Sequence, residues 1–305
     1  MKQKSGNGLR VLWAVDILAT DKKVRSASES MLKALSKQAK LKINPAYIVR
    51  FSEQAQPLAR GEGKKVFLEN VQSVMKKGLS RTPFDLEEPK AILQKGVYLR
   101  SDVDALVSEA KRIKADLILV NTHARKGFSR FWMGSFAETL MHHSPLPVLF
   151  LNPSMKPLTQ IKTILFPVNL SPDSQKVLRR VGKWAAHLGA QLVLYNNVEY
   201  FVTSPELALT EMAVFTENLE KDVKDRKKTL EKWGAQLKRD LGIKVSSQVD
   251  ESDARVSDGI IKLSKKLPSC VIAMASQTGP VLSVLVGSTT RRVVREATVP
   301  VLVVR

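Results

Sequence analysis

Apolar positions along this chain fall into two spacings that take turns. Short, almost wholly apolar runs, as strands buried on both faces require, occupy Leu9–Val15, Leu117–Val120, Val148–Leu151, Ile164–Val168, Cys270–Ala275 and Val299–Val304. Mixed runs at Ile43–Phe51 (interrupted early by Pro45), Ala91–Leu99, Gln191–Val198 and Ile243–Val249 bring the predicted strands to ten. Between them apolar residues recur at helical spacing. Ser26–Lys40 carries Met31, Leu32, Leu35 and Ala39 on one side, and Lys64–Leu79 carries Val66, Phe67, Val71, Val74 and Met75. Further helices are predicted over Val103–Ile113, Phe136–His142, Ser174–Leu188, about Pro205–Leu241, Ala254–Lys266 and Thr289–Ala297. Ser171-Pro172-Asp173 is a helix-start signal with proline at the first helical position, and Gly189 suits a left-handed C-terminal cap.

The pattern runs through twice. Gly134-Ser135 and Pro147-Val148-Leu149 return 153 positions later as Gly287-Ser288 and Pro300-Val301-Leu302. At the same offset Val11–Asp16 lies over Ile164–Asn169, and Asp116–Val120 over Ser269–Ala273. A spacing kept from one end of a unit to the other marks a duplicated domain. The expected domains are residues 1–152 and 158–305, joined by a linker stiffened by Pro153 and Pro157. Strands alternating with helices predict two tandem open parallel five-stranded sheets with helices on both faces, flavodoxin-like or Rossmann-like, the flavodoxin-like order leading. Ligands of such sheets bind beyond the carboxyl ends of the strands, at the switch point between the first and fourth. Asp16 and Asn121 fall there in the first repeat, Asn169 and Met274 in the second.

Composition narrows the setting. The 305 residues suffice for two cores, and no apolar run approaches the roughly 18 residues of a membrane span. The amino-terminal residues lack a leader-peptide pattern, and the single cysteine, Cys270, falls in a predicted buried strand. A cytoplasmic protein with no membrane insertion is the expectation. The formal net charge is +20, spread as short pairs such as Lys64-Lys65 and Lys227-Lys228. That charge fits solvated helix faces, or a surface for a polyanion partner. Four histidines and one cysteine give little material for a zinc site.

Three features together resemble the universal stress protein family across both repeats. They are the opening strand Val11–Asp16, the segment from Asn121 to Ser135, and the closing Pro-Val-Leu strand that appears twice. Pro167–Asp173 and Ala185–Ala190 are similar to that family's opening helix region. The resemblance implies an adenine nucleotide alpha hydrolase-like fold and, in nucleotide-binding members, a Gly-x-x-Gly, nine residues, then Gly-Ser or Gly-Thr. Glycines there let backbone approach phosphate, and the last pair opens a helix whose amides face the anion. The strand-one carboxylate contacts the nucleoside. Carried over, the first-repeat site is Asp16, Asn121, His123, Ala124, Arg125, Gly134, Ser135 and Phe136, with Asn121 and Ala124 standing where the glycines would be. A weaker second site is Asn169, Ser276, Gln277, Gly287, Ser288 and Thr289, with Met274 and Gln277 at the glycine positions and Asn169 for the aspartate.

The function implied is stress response or signalling through protein contacts and weak adenine-nucleotide binding in the first domain, the ligand being ATP or another adenine nucleotide, with magnesium only where ATP is bound. No catalytic residue is assigned. The expected partners are the two domains with each other, a second copy of the chain, and a regulatory protein or polyanion. A slow ATP hydrolase with Asp16 as metal-binding carboxylate, and a basic polyanion-binding scaffold, are the alternatives. Asp16 can also be read as a strand-end residue capping a turn, and Ser135 and Ser288 as helix caps.

Overall fold

The computed structural model describes residues 8–17, 21–49, 61–94, 98–122, 134–198, 212–252, 254–276 and 286–305. The chain divides into two compact units. One takes in the residues up to Gln160 together with Ser276–Val303 and Arg305, and the other Ile161–Ala275. The closing helix and strand of the second repeat therefore pack with the first.

In the first unit the order is β1 (Leu9–Ala14), α1 (Lys22–Ser36), β2 (Leu41–Val49), α2 (Gly61–Leu79), β3 (Lys90–Leu93), α3 (Leu99–Arg112), β4 (Leu117–Asn121), α4 (Ser135–His143) and β5 (Val148–Leu151). The strands run parallel in the order β3-β2-β1-β4-β5. This is the Rossmann-type half, not the flavodoxin-like 2-1-3-4-5 that led among the expected orders. Periodicity cannot distinguish them, because both satisfy the same crossovers. The switch point between first and fourth strands is where it was expected. β1, β4 and β5 form the core, with Val11, Leu12, Trp13, Leu117–Val120 and Val148–Leu151 all at most 5% exposed. β10 (Val301–Val304) adds to β5 antiparallel, pairing Val301 with Phe150, Leu302 with Leu149 and Val303 with Val148. The two closing strands thus meet. Ahead of β10, α8 (Ser288–Glu296) is tied to α4 by Arg291 Nε and Glu138 Oε1 at 3.4 Å.

The second unit runs β6 (Thr163–Pro167), α5 (Pro172–Leu188), β7 (Gln191–Asn197), α6 (Met212–Leu241), β8 (Val245–Asp250), α7 (Val256–Lys266) and β9 (Cys270–Ala275), with strand order β9-β6-β7-β8. Ser171 caps α5 by accepting from the Ser174 amide at 3.2 Å, Pro172 opens it, and Gly189 closes it at φ +60°. All three signals are those expected. Among the described residues no helix is long and apolar enough to cross a membrane.

Several boundaries move, each for a local reason. α1 starts four residues ahead of the predicted Ser26, because Asp21 caps it by accepting from the Lys23 amide at 2.9 Å, and it ends before Ala39. α3 starts at Leu99, ahead of Val103, from an N-cap (Tyr98) whose side chain makes no cap bond and so leaves no mark in the sequence. β3 stops at Leu93, opposite the last residue of β2. Pro45 does not interrupt β2. The carbonyls of Ile43 and Val49 accept from the β3 side, so Pro45 turns its missing donor the same way, one residue before the β2–β3 ladder begins at Ala46. Phe51 and the start of the predicted 205–241 helix lie outside the described residues.

Candidate functional site

The switch point of the first unit opens into a cleft of about 160 Å³. The end of β1, Trp13 to Asp16, lines it with Ile17. One wall is α1 through Val24, Arg25 and Ser28, the other is α2 through Val74, Met75, Gly78 and Leu79, and Asn121 reaches it from β4. The ladder holds the floor in place: the Val15 amide donates to the Ala46 carbonyl at 2.8 Å. Asp21 sets the entry of α1, and α1 then presents Ser28 to β4.

Asn121 Nδ2 donates to Ser28 Oγ at 2.8 Å, joining residues 93 positions apart. The Ser28 hydroxyl in turn donates to the Val24 carbonyl at 3.3 Å, one helical turn back. Asn121 Oδ1 is buried and has no hydrogen-bond partner among the described residues. Arg25 spans the walls: Nε donates to Glu29 Oε1 at 2.7 Å, and its other arm to the Gly78 carbonyl at 2.7 Å.

Asp16 and Asn121 therefore share one cleft. Gly134, Ser135 and Phe136 stand beside β4, where the Gly134 amide donates to the Thr122 carbonyl at 2.8 Å, but they do not line that cleft. Gly134 itself is the N-cap of α4, at φ −60°, and makes no side-chain bond; Ser135 is the first helical residue. Gly287 and Ser288 repeat the arrangement at α8. The cap is thus the glycine in both repeats, and the reading of Ser135 and Ser288 as caps is corrected by one residue. His123, Ala124, Arg125 and Gln277 lie outside the described residues.

In the second repeat, Asn169 is engaged by its own turn. Its Oδ1 accepts from the Ser171 amide at 3.2 Å, from Ser171 Oγ at 2.7 Å and from Ser174 Oγ. Ser276, Gly287, Ser288 and Thr289 are compact with the first unit and Asn169 with the second. The side chain of Ser276 is buried, and its Oγ has no partner among the described residues.

Ser28 and Arg25 escaped the sequence reading. Each sits inside an ordinary helical pattern, and only the packing of α1 against β4 and α2 brings them to the cleft. A part-buried polar pair in the second unit was missed for the same reason. Tyr195 Oη donates to Asp250 Oδ2 at 2.6 Å, beneath a glycine, Gly259, whose Cβ would lie 2.1 Å from that phenol oxygen. Burial, then the bond to the carboxylate, pushes the Tyr195 phenol up. Burial pushes Asp250 up too, but the hydrogen bonds from Tyr195 and Ser252 outweigh it and hold the carboxyl below its usual range. Among the described residues no group of three or more His, Cys, Asp or Glu side chains is placed to hold a metal ion.

Solved structures share this fold. A universal stress protein from Archaeoglobus fulgidus DSM 4304 superposes with a TM-score of 0.60 at 16% identity, over 97% of this chain and 98% of its own. A functionally unknown protein from Pseudomonas aeruginosa PAO1 superposes with a TM-score of 0.57 at 12% identity, over 97% of this chain and 92% of its own. A shorter universal stress protein from Archaeoglobus fulgidus, solved in complex with dAMP, is matched at 15% identity over 48% of this chain and 98% of its own, with a TM-score of 0.35. No curated protein is similar in sequence. The model of the universal stress protein family matches residues 10–152 and again residues 160–305, so the chain belongs to that family and carries its domain twice in tandem.

Proposed function

We infer that the stress-related role that comes with the family is exercised here without catalysis, through protein contacts and weak occupancy of the first-unit cleft by an adenine compound. The observation that carries this reading is the meeting of Asp16 and Asn121 in one cleft at the crossover between β1 and β4, where a sheet of this order places its ligands. The fit to a whole nucleotide is divided. The cleft has apolar walls and polar acceptors that suit a base. Among the described residues, two donors near a phosphate position are engaged: the Gly134 amide with Thr122, and Arg25 Nε and Nη1 with Glu29 and Gly78. Magnesium enters only with ATP. The cytoplasm is the proposed location, and a regulatory protein or a second copy of the chain the proposed partner.

The test is to denature purified protein, assay the supernatant for adenine compounds, and follow phosphate release from ATP with magnesium. The expected result is a bound adenine compound at less than one equivalent and phosphate release at the buffer rate. Magnesium-dependent release that disappears in Asp16→Ala would instead establish the hydrolase.

A further inference from the structure

We propose that the closing face of the second repeat, α8 with β10 and Arg305, is a one-sided connector. Its arginines fit it to the closing face of a first repeat and turn away another copy of itself. Residues on both sides of this contact belong to the first unit. The contact follows a local two-fold symmetry about Leu149 and Leu302, which pair with each other and stand 153 positions apart. Val148 with Val303 and Phe150 with Val301 flank that centre evenly. Glu138 and Arg291, also 153 positions apart, face each other at 3.4 Å. Asn152 and Arg305 are a further couple at that offset. Asn152 Nδ2 donates to the Ala297 carbonyl at the end of α8 at 3.1 Å, and the Arg305 guanidinium donates to the His142 carbonyl near the end of α4.

The strands supply attraction without selection. Val148-Leu149-Phe150 and Val301-Leu302-Val303 are apolar on both sides, so either would pair as well with a copy of itself. Selection falls to the charges beside them. In a pair of identical faces, a residue whose partner is its own equivalent meets itself, and a charge cannot complement itself. Two repeats in one chain lift that restriction: the first carries Glu138 where the second carries Arg291. α8 holds Arg291, Arg292 and Arg295 against one acid, Glu296, and Glu296 is already bonded by Arg292 and Arg295. α4 holds one acid, Glu138, and two histidines. Two copies of α8 would set Arg291 against Arg291, and each Arg305 would reach toward Arg295, the equivalent of His142. Two copies of α4 would set Glu138 against Glu138. Opposite charges meet beside the centre only when a first repeat faces a second. A second copy of the chain finds this face already satisfied and has to use another surface.

Two measurements on the full-length chain test this. In urea unfolding, Arg291→Glu should raise the unfolding equilibrium constant about fivefold, by making the 3.4 Å pair repulsive. Adding Glu138→Arg to that variant should bring the constant back to within about twofold of the parent. For the second measurement, chains carrying Leu149→Cys or Leu302→Cys, each with Cys270→Ala and one with a size tag, are refolded from urea under oxidising conditions, separately and mixed. The mixed disulfide-linked dimer should exceed the dimer of Leu302→Cys with itself by about fivefold. Arg291→Gln with Arg295→Gln should raise the yield of that self-dimer. Purely additive effects of the two charge reversals, or a Leu302→Cys self-dimer as abundant as the mixed one, would overturn the inference. Should the cysteine variants fail to refold, the charge reversals decide by themselves.

Discussion

At the scale of single residues, the second unit holds its sharpest constraint at Gly259. Any side chain there must displace the Tyr195 phenol, whose oxygen would lie 2.1 Å from the new Cβ, and Asp250 Oδ2 at 2.8 Å. Gly259→Ala should cost about 1–3 kcal/mol, as overpacking in a close-packed interior does, read from the midpoint of urea unfolding. Tyr195→Phe should cost about 1–2 kcal/mol, because it leaves Asp250 Oδ2 without its donor. The pH dependence has a definite sign. A carboxyl held below its usual range contributes stability above the unfolded-state value and loses it as the pH falls through the folded-state value. Unfolding midpoints taken from pH 6 down past pH 4 should therefore fall more steeply for the parent chain than for Tyr195→Phe. Asn169 gives the opposite lesson to Asn121. One spends its oxygen on a turn, the other leaves an oxygen over, and nothing in their identity tells them apart.

At the scale of elements, α5 carries both of its boundaries in the sequence, and both can be tested. Ser171→Ala should cost about 1 kcal/mol through loss of the cap to the Ser174 amide. Gly189→Ala should cost about 1 kcal/mol, because φ +60° burdens a residue with a Cβ. Circular dichroism melts of the two variants measure both. In α3 the same reasoning fails: its start has no side-chain cap, so propensity and periodicity place it four residues late. Pro45 shows why a breaker residue is not decisive alone. Its lost donor matters only if the neighbouring strand needs it, and which side it faces depends on the pairing of β2 between β1 and β3.

For the whole molecule, the division into units runs across the duplication. β5 presents Val148, Leu149, Phe150 and Leu151, all at most 3% exposed, and β10 pairs with it. Burying each such side chain is worth about 1.5–3 kcal/mol, and an uncovered strand of this kind is a template for another chain. Residues 1–160 expressed alone should therefore self-associate through β5, with light scattering after size exclusion giving a dimer or larger species. Replacing Leu149 with Lys in that fragment should return it toward a monomer. The +20 charge makes a separate forecast. If helix faces merely solvate it, binding to duplex DNA at 150 mM salt stays below detection. A polyanion surface would show affinity that falls steeply with salt.

What the amino-acid sequence determined by itself was whatever depends on local spacing and on repetition. That includes the alternation of strands and helices, the duplication, the caps of α5, and the placing of Asp16 and Asn121 at the ends of strands one and four. Those features follow from period, polarity and backbone preference, which neighbours in the chain supply. The tertiary structure decided which strand lies beside which, so that the order became β3-β2-β1-β4-β5 and β10 came to rest on β5. It also decided that Ser28 meets Asn121 across 93 residues, that Arg25 is engaged by Gly78, and that Gly259 must make way for Tyr195. These are contacts between elements remote in sequence. Their energies arise only when packing brings the groups together and removes water from between them, so no spacing along the chain records them.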